Sequence, residues 1–269
     1  MSMLKAFEAF RDELDEQQEI RERLIKTSRE ITANAKKVIF LLHRLVTVEN
    51  PDHNGLHSTS IQPAKKKLRE LNALFAKIAP DLQGEQFWRH WRSVSPGLQE
   101  YIEALSFAHY LEFGTLASYH DVQSALTDSS GAPYFAVPLS DYLLGISDLT
   151  GELMRFAIVA ISRSDGTLQA RQVLDFVRCT YADTSIDLET FSPHVRELPR
   201  KQEVTSSSLQ KIEDAVYAVV VRGAEYRGQR DDIADEIVRR YVAGLDSALS
   251  RGGGRSGRDA GGESDEEDA

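Results

Sequence analysis

Only one cysteine, Cys179, occurs in the 269 residues, which excludes an internal disulfide and any multi-cysteine zinc site. Long apolar runs are missing too, and no stretch approaches the ~20 residues needed to cross a bilayer. The opening MSMLKAFEAFRDELDEQ has no apolar centre of the kind a secretory signal carries. These absences predict an intracellular protein, cytoplasmic and nuclear, with no membrane contact. Basic charge is also scarce: 32 Lys and Arg stand against 42 Asp and Glu, a net −10. Six acidic residues and three Arg lie in 251–269, net −3, which leaves −7 on 1–250. No whole-molecule field therefore draws in a polyanion. Any nucleic-acid contact needs a local basic patch or a partner's surface.

Glycine and proline are absent from Met1 to Asn50. Across that stretch Leu4, Phe7, Leu14, Ile20, Leu24, Ile31, Ala35, Val38, Leu42 and Leu45 recur at helical spacing, which predicts one long bundle helix ended by Asn50-Pro51. A polar loop follows, then a helix over Pro63–Ile78, with Pro63 suited to its first turn. Glu85–Phe113 is helical in pattern but holds Pro96, so a break and a fresh helix are expected after Ser95-Pro96-Gly97. Asp128–Pro138 reads as a loop. Ser140 or Asp141 is placed to cap a helix ending near Ile161. Further helices are predicted over Leu168–Asp183, Ser206–Val221 and Asp231–Leu249. No strict two-residue alternation competes with this period. The expectation is all-α, an elongated bundle of about seven helices forming one domain over 1–250. The remainder, RGGGRSGRDAGGESDEEDA, has no large apolar residue and reads as a disordered acidic tail.

Two of the predicted helices combine apolar richness with carboxylates. LQEYIEALSFAHYL holds Glu100 and Glu103, about 60° apart around a helix axis and about 4.5 Å apart along it. DYLLGISDLTGELMRFAIVAI holds Asp148 and Glu152, about 40° apart and one turn along. Helices apolar on so many sides are expected to be largely buried, and buried carboxylates must be paired, hydrogen-bonded or bound to a cation. Two such pairs facing each other offer up to four oxygen donors, a set suited to Mg²⁺ or Mn²⁺. Such an ion neutralises charge on a phosphoryl oxygen and lowers the pKa of a bound water. The plainer alternative is a pair of solvated or salt-bridged stripes, with Arg155 three residues after Glu152 as the obvious partner. Spacing alone favours that alternative.

Other residues carry less. His43, His90, His109 and His120 have no ligand spacing to one another and read as ordinary helical histidines, and His53 and His57 sit in a polar loop. Cys179 in VLDFVRCTY reads as a small core residue. Lys65, Lys66, Lys67 and Arg69 form a basic run best read as a solvated face. FWRHWR sets Arg89, His90 and Arg92 among Phe87, Trp88 and Trp91, a mixture found on single-strand binding surfaces.

FWRHWRSVSPGLQEYIEALSF, DYLLGISDLTGELMR and KIEDAVYAVVVRG, with IFLLHRL near Ile39, resemble the translin family, and its associated-factor branch more than translin itself. The resemblance runs in order from about Glu19 to Gly223. It implies a seven-helix α-α fold and assembly with translin into a hollow hetero-oligomer, an octameric shell. It also implies Mg²⁺-dependent endonucleolytic cleavage of single-stranded RNA, such as silencing intermediates and tRNA precursors. On the matching motifs, the metal-binding catalytic carboxylates fall on Glu100, Glu103, Asp148 and Glu152, and RNA contacts on Arg89, His90 and Arg92. No basic targeting run of the kind that family members often begin with precedes Leu4, and the resemblance assigns the acidic tail no role.

Overall fold

A computed structural model describes residues 3–48, 61–161, 167–191 and 193–225. Over these residues it is built from helices alone: α1 (Met3–Val48), α2 (Gln62–Ile78), α3 (Glu85–Phe113), α4 (Tyr119–Ala125), α5 (Leu139–Ile161), α6 (Thr167–Phe191) and α7 (Leu198–Glu225), with a 3-10 turn over Ala79–Leu82. The expected tail, the helix over 231–249 and the histidines at 53 and 57 lie outside the described residues. The all-α expectation and the count of about seven helices hold.

In α1 the buried residues Leu24, Ser28, Ile31, Ala35, Val38, Leu42 and Leu45 alternate steps of four and three. That heptad period keeps one seam turned toward neighbouring helices. The seam packs on α3 and α2. Stepped backwards through Arg21 and Gln17, the same period reaches Leu14, Phe10, Phe7 and Met3, and there the apolar side chains are exposed. The first third of α1 thus carries a core-type seam past the end of the bundle.

Helix α3 lies at the centre, against α1 on one side and α5 on the other, and α5 is backed by α6 and α7. Tyr101, Phe107, Leu98 and Ile102 of α3 are fully buried. Burying each such side chain contributes roughly 1.5–3 kcal/mol.

Contrary to expectation, α3 runs through Pro96 without a break. Proline removes one backbone donor and its ring crowds the preceding turn. Here Pro96 is exposed, so the ring points away from the packed side. On the other side Ser28 of α1 ties the neighbouring turn: its Oγ accepts from Gly97 N–H at 3.1 Å and donates to the Val94 carbonyl at 3.3 Å. Gly97 makes the approach possible, because a Cβ there would stand 2.8 Å from the Ser28 carbonyl oxygen. A tertiary contact unseen in local sequence thus braces the helix beside Pro96.

The α3–α5 contact depends on a second glycine. A Cβ on Gly145 would stand 2.8 Å from both Cβ and Cγ2 of Ile102, and 3.0 Å from the Gln99 carbonyl oxygen. The two backbones therefore meet more closely here than any side chain at 145 would permit.

Three further departures from the sequence expectation concern ends and exposure. Helix α4 was not expected; Ser118 and Asp121 cap it reciprocally, each side chain bonding to the other's backbone N–H. Helix α5 begins at Leu139, so Asp141 falls inside its first turn instead of capping it. The Asp141 carboxylate accepts from Ser95 Oγ at 2.6 Å and Gln99 Nε2 at 2.8 Å. Cys179 is exposed, not a core residue: the buried positions on that stretch of α6 are Val173, Leu174 and Val177.

Candidate active site

Because α3 and α5 cross so closely beside Gly145, their carboxylates come near enough for their charges to act on one another. Gln99 and Ile102, which touch that glycine, flank Glu100 and immediately precede Glu103, and Asp148 and Glu152 follow it one and two turns along α5. Glu100, Glu103 and Glu152 line a cavity of about 570 Å³, closed on its remaining side by Lys36, Phe40 and His43 of α1. Asp148 is not on that cavity wall, but its charge acts on both Glu100 and Glu103.

Three of the four carboxylates are already held by cations. Lys36 Nζ lies 3.1 Å from Glu100 Oε1, and Lys201 of α7 donates to both oxygens of Asp148. Arg155 reaches Glu152 Oε1 and Oε2 at 2.9 and 3.0 Å, the partnership its spacing suggested. His43 Nε2–H also donates to Glu152 Oε2 at 2.6 Å. Glu103 differs. It is 8% exposed and makes no hydrogen bond or ion pair with any described residue.

Protonation follows these surroundings. Burial, then the charges of Glu152, Asp148 and Glu100, push the Glu103 carboxyl well above the ordinary glutamate range. Burial also raises Glu100, against the hydrogen bond and charge of Lys36. At Glu152 burial is the largest influence and raises the carboxyl, but the His43 hydrogen bond and Arg155 together outweigh it, for a net lowering. The site thus sets four carboxylates against three full cations, and the uncompensated one is Glu103.

An all-oxygen donor set with one buried, unpaired carboxyl has the chemistry of a hard divalent cation site. Among the described residues, however, no three His, Cys, Asp or Glu stand close enough to share one ion. The donor chemistry fits, but the coordination is not preformed, and three of the carboxylates are paired with Lys36, Lys201 and Arg155.

The other residues singled out in the sequence are not gathered here. Arg89 and Arg92 are exposed on the first half of α3 beside Trp88, which is 71% exposed, and none of them lines the carboxylate cavity. His90 is buried, with Nε2 2.8 Å from Gln17 Oε1, and burial lowers its pKa. Sequence reading missed His43, Lys36 and Lys201. His43 and Glu152 are 109 residues apart and Lys201 and Asp148 are 53 apart, so no local spacing marks them.

Residues 19–223, most of the chain, match the Translin family. The chain belongs to the translin family. It is 36% identical to Translin-associated protein X of Rattus norvegicus over 242 residues, covering 83% of this chain and 80% of the rat protein. With the Translin-associated protein X homolog of Schizosaccharomyces pombe it shares 34% identity, over 84% of this chain and 91% of that one. Translin of Gallus gallus is 26% identical, over 83% and 94% of the two chains. The same fold occurs in the crystal structure of apo-NeC3PO (TM-score 0.61, 20% identity, 81% of this chain and 98% of that one). It also occurs in the structure of an AfC3PO–duplex RNA complex (TM-score 0.57, 20% identity, 80% and 97%). The translin-family frame is thus the one on which α3 and α5 bring Glu100, Glu103 and Glu152 to one cavity, with Asp148 beside it.

Proposed function

We propose that this translin-family chain is the catalytic subunit of a hetero-oligomer with translin, and that it cleaves single-stranded RNA with Mg²⁺ or Mn²⁺. The observation that carries the proposal is the cavity lined by Glu100, Glu103 and Glu152, with Asp148 near enough for its charge to act on the first two, and with Glu103 buried and without a hydrogen bond or ion pair to any described residue. Its likeness to Translin-associated protein X and to a C3PO fold solved with duplex RNA supports the partner and the nucleic-acid substrate. Those four residues are the ligands that would hold the cation, which when bound supplies positive charge to a phosphodiester's non-bridging oxygens. The chain's own part is positional. His43 and Arg155 fix Glu152, Lys36 and Lys201 hold Glu100 and Asp148, and the low-dielectric wall of Ile39 and Phe156 excludes water from Glu103.

Assembly has its own support. The unpartnered apolar seam of Met3, Phe7, Phe10 and Leu14 continues the period of the core, as a helix prepared for another helix does. With a net −10, the chain also gains from a partner that supplies basic surface.

The neutralisation of three carboxylates by Lys36, Lys201 and Arg155 favours one rival, a non-catalytic single-stranded nucleic-acid-binding partner of translin. Co-expression with translin and a cleavage assay separate the two. The catalytic reading expects cleavage with Mg²⁺, none with EDTA, and loss of activity in Glu103→Ala with assembly unchanged. Attack by water leaves 5′-phosphate and 3′-hydroxyl ends, and a 2′-deoxy substitution at the cut site is tolerated. Cyclic phosphate ends, or full activity in Glu103→Ala, would overturn it.

A further inference from the structure

Phe40 sits at the mouth of the carboxylate cavity with 71% of its surface in solvent, although it lies mid-helix on a fully helical α1. It cannot turn inward: the buried positions Val38 and Leu42 lie about 160° around the helix from it. Its neighbours on the helix surface, three and four residues away, are Lys36, Lys37, His43 and Arg44. The chain is acidic overall, yet here a bare aromatic ring is set among three full cations and a histidine. Lys36 and, across the cavity, Arg155 keep 64% and 56% of their side chains exposed at the rim while touching Glu100 and Glu152.

This is the chemistry of a single strand, in which an unstacked base lies on an aromatic face and neighbouring phosphates meet cations. A duplex offers no free base face to such a ring. A protein partner suits the patch less well, since charged side chains are depleted at the centres of protein interfaces. We propose that Phe40 is the platform on which one base of single-stranded RNA stacks, with Lys36, Lys37 and Arg44 taking flanking phosphates, so that the strand's backbone is presented to the carboxylate cavity. The inference rests on the RNA-cleavage reading and deepens it: Phe40 is a substrate-positioning residue, and it defines the substrate as having at least one unpaired, accessible base beside the cut.

The test measures binding of a 12-nucleotide RNA to the full chain purified with translin, in EDTA so that no cleavage is needed. A single abasic ribose is walked along the oligonucleotide, and wild type is compared with Phe40→Ala and Phe40→Trp. Phe40→Ala is expected to weaken binding of intact RNA about 5- to 150-fold, the range of one base–aromatic stack. Wild type should lose the same factor at one abasic position, where Phe40→Ala loses nothing more, and Phe40→Trp should restore affinity. Independent, multiplicative losses from the variant and the abasic site would overturn the proposal. So would a fall in the mass of the assembly on Phe40→Ala, which would make Phe40 a subunit contact. Base-dependent binding without metal-dependent cleavage would sink the nuclease reading and leave the platform standing; cleavage with no dependence on the base at Phe40 would do the reverse. A wild-type complex that does not bind the RNA would overturn both.

Discussion

Replacing Gly145 with alanine tests whether the width of the candidate site is set by helix packing. The added methyl would begin 2.8 Å from Ile102 Cβ and Cγ2 and 3.0 Å from the Gln99 carbonyl oxygen. Carbon atoms settle at about 3.5–4.0 Å, so α3 and α5 must part by the better part of ~1 Å, or Ile102 must shift. Overpacking of this kind costs about 1–3 kcal/mol. Against it stands the helical preference of alanine over glycine, about 1 kcal/mol. The expected net is a destabilisation of about 0–2 kcal/mol, a fall in Tm of at most a few degrees. Activity should suffer far more. Misplacing catalytic groups by about 1 Å can cost about 100-fold, and the displaced helix carries Asp148 and Glu152 past Glu100 and Glu103. Gly151→Ala is the control: it lies on the same helix beside Glu152, and its Cβ would meet nothing within 4 Å. That variant should gain up to about 1 kcal/mol and keep its activity. Thermal unfolding and RNA cleavage of both variants in the translin complex decide the matter. If Gly145→Ala behaves as Gly151→Ala does, stabilised and fully active, the close crossing does not set the site.

The charge imbalance at Glu103 predicts a pH-dependent stability. Its folded pKa is raised from an ordinary value near 4.5, so ionised Glu103 opposes folding; the penalty grows as pH rises from there through the folded pKa and is absent below about 4.5. Glu103→Gln should therefore raise the urea midpoint of the metal-free protein at pH 8 and leave it unchanged at pH 4, while cutting Mg²⁺-dependent cleavage by about 100- to 1,000-fold. A lower midpoint at pH 8 would show that the carboxylate is compensated after all. Ser28→Ala removes the two bonds to Gly97 N–H and the Val94 carbonyl and should cost about 1–3 kcal/mol, read by denaturant unfolding; a neutral result would mean that the helix at Pro96 needs no bridge. Replacing Phe7 and Phe10 with aspartate touches no core residue, so thermal stability should hold while co-purification with translin falls by at least about tenfold. Unchanged complex recovery would dissociate the N-terminal seam from assembly.

Periodicity made the helices legible, because each buries a stripe, and it drew notice to carboxylates on apolar helices, although their spacing alone favoured salt-bridged stripes and only the family resemblance singled out the four. The i, i+3 partnership of Glu152 with Arg155 was also readable, being a local contact. What could not be read depended on chain segments meeting after folding. Pro96 is a break in any one-dimensional reading, yet the helix continues, its ring in solvent and the neighbouring turn tied to Ser28, far away in sequence. His43 looks like any helical histidine until α1 and α5 are side by side. Helix α4 is a different case: Ser118 and Asp121 are spaced as a capping pair, but the element is one of seven residues, too short to show a period. For Cys179, a residue type that is usually buried pointed the wrong way, since α6 turns that face to solvent.

Helix α1 also acts as a ruler. It carries the exposed apolar seam at one end and the Lys36–Phe40–His43 wall of the cavity at the other, with no glycine or proline between them to absorb a change. From Phe10 to Phe40 is 30 residues, a rod of about 45 Å with a fixed angular relation between its two working faces. Deleting Asp15 or Glu16, both exposed, would leave the contacts of α1 from Gln17 onward in place and still turn one face by about 100° against the other. Inserting seven would restore the angle and move the partner about 10 Å along the axis. The distance and azimuth at which a docked subunit sits from the carboxylates are therefore written in a residue count, and a change of that count is felt at the site without any mutation near it.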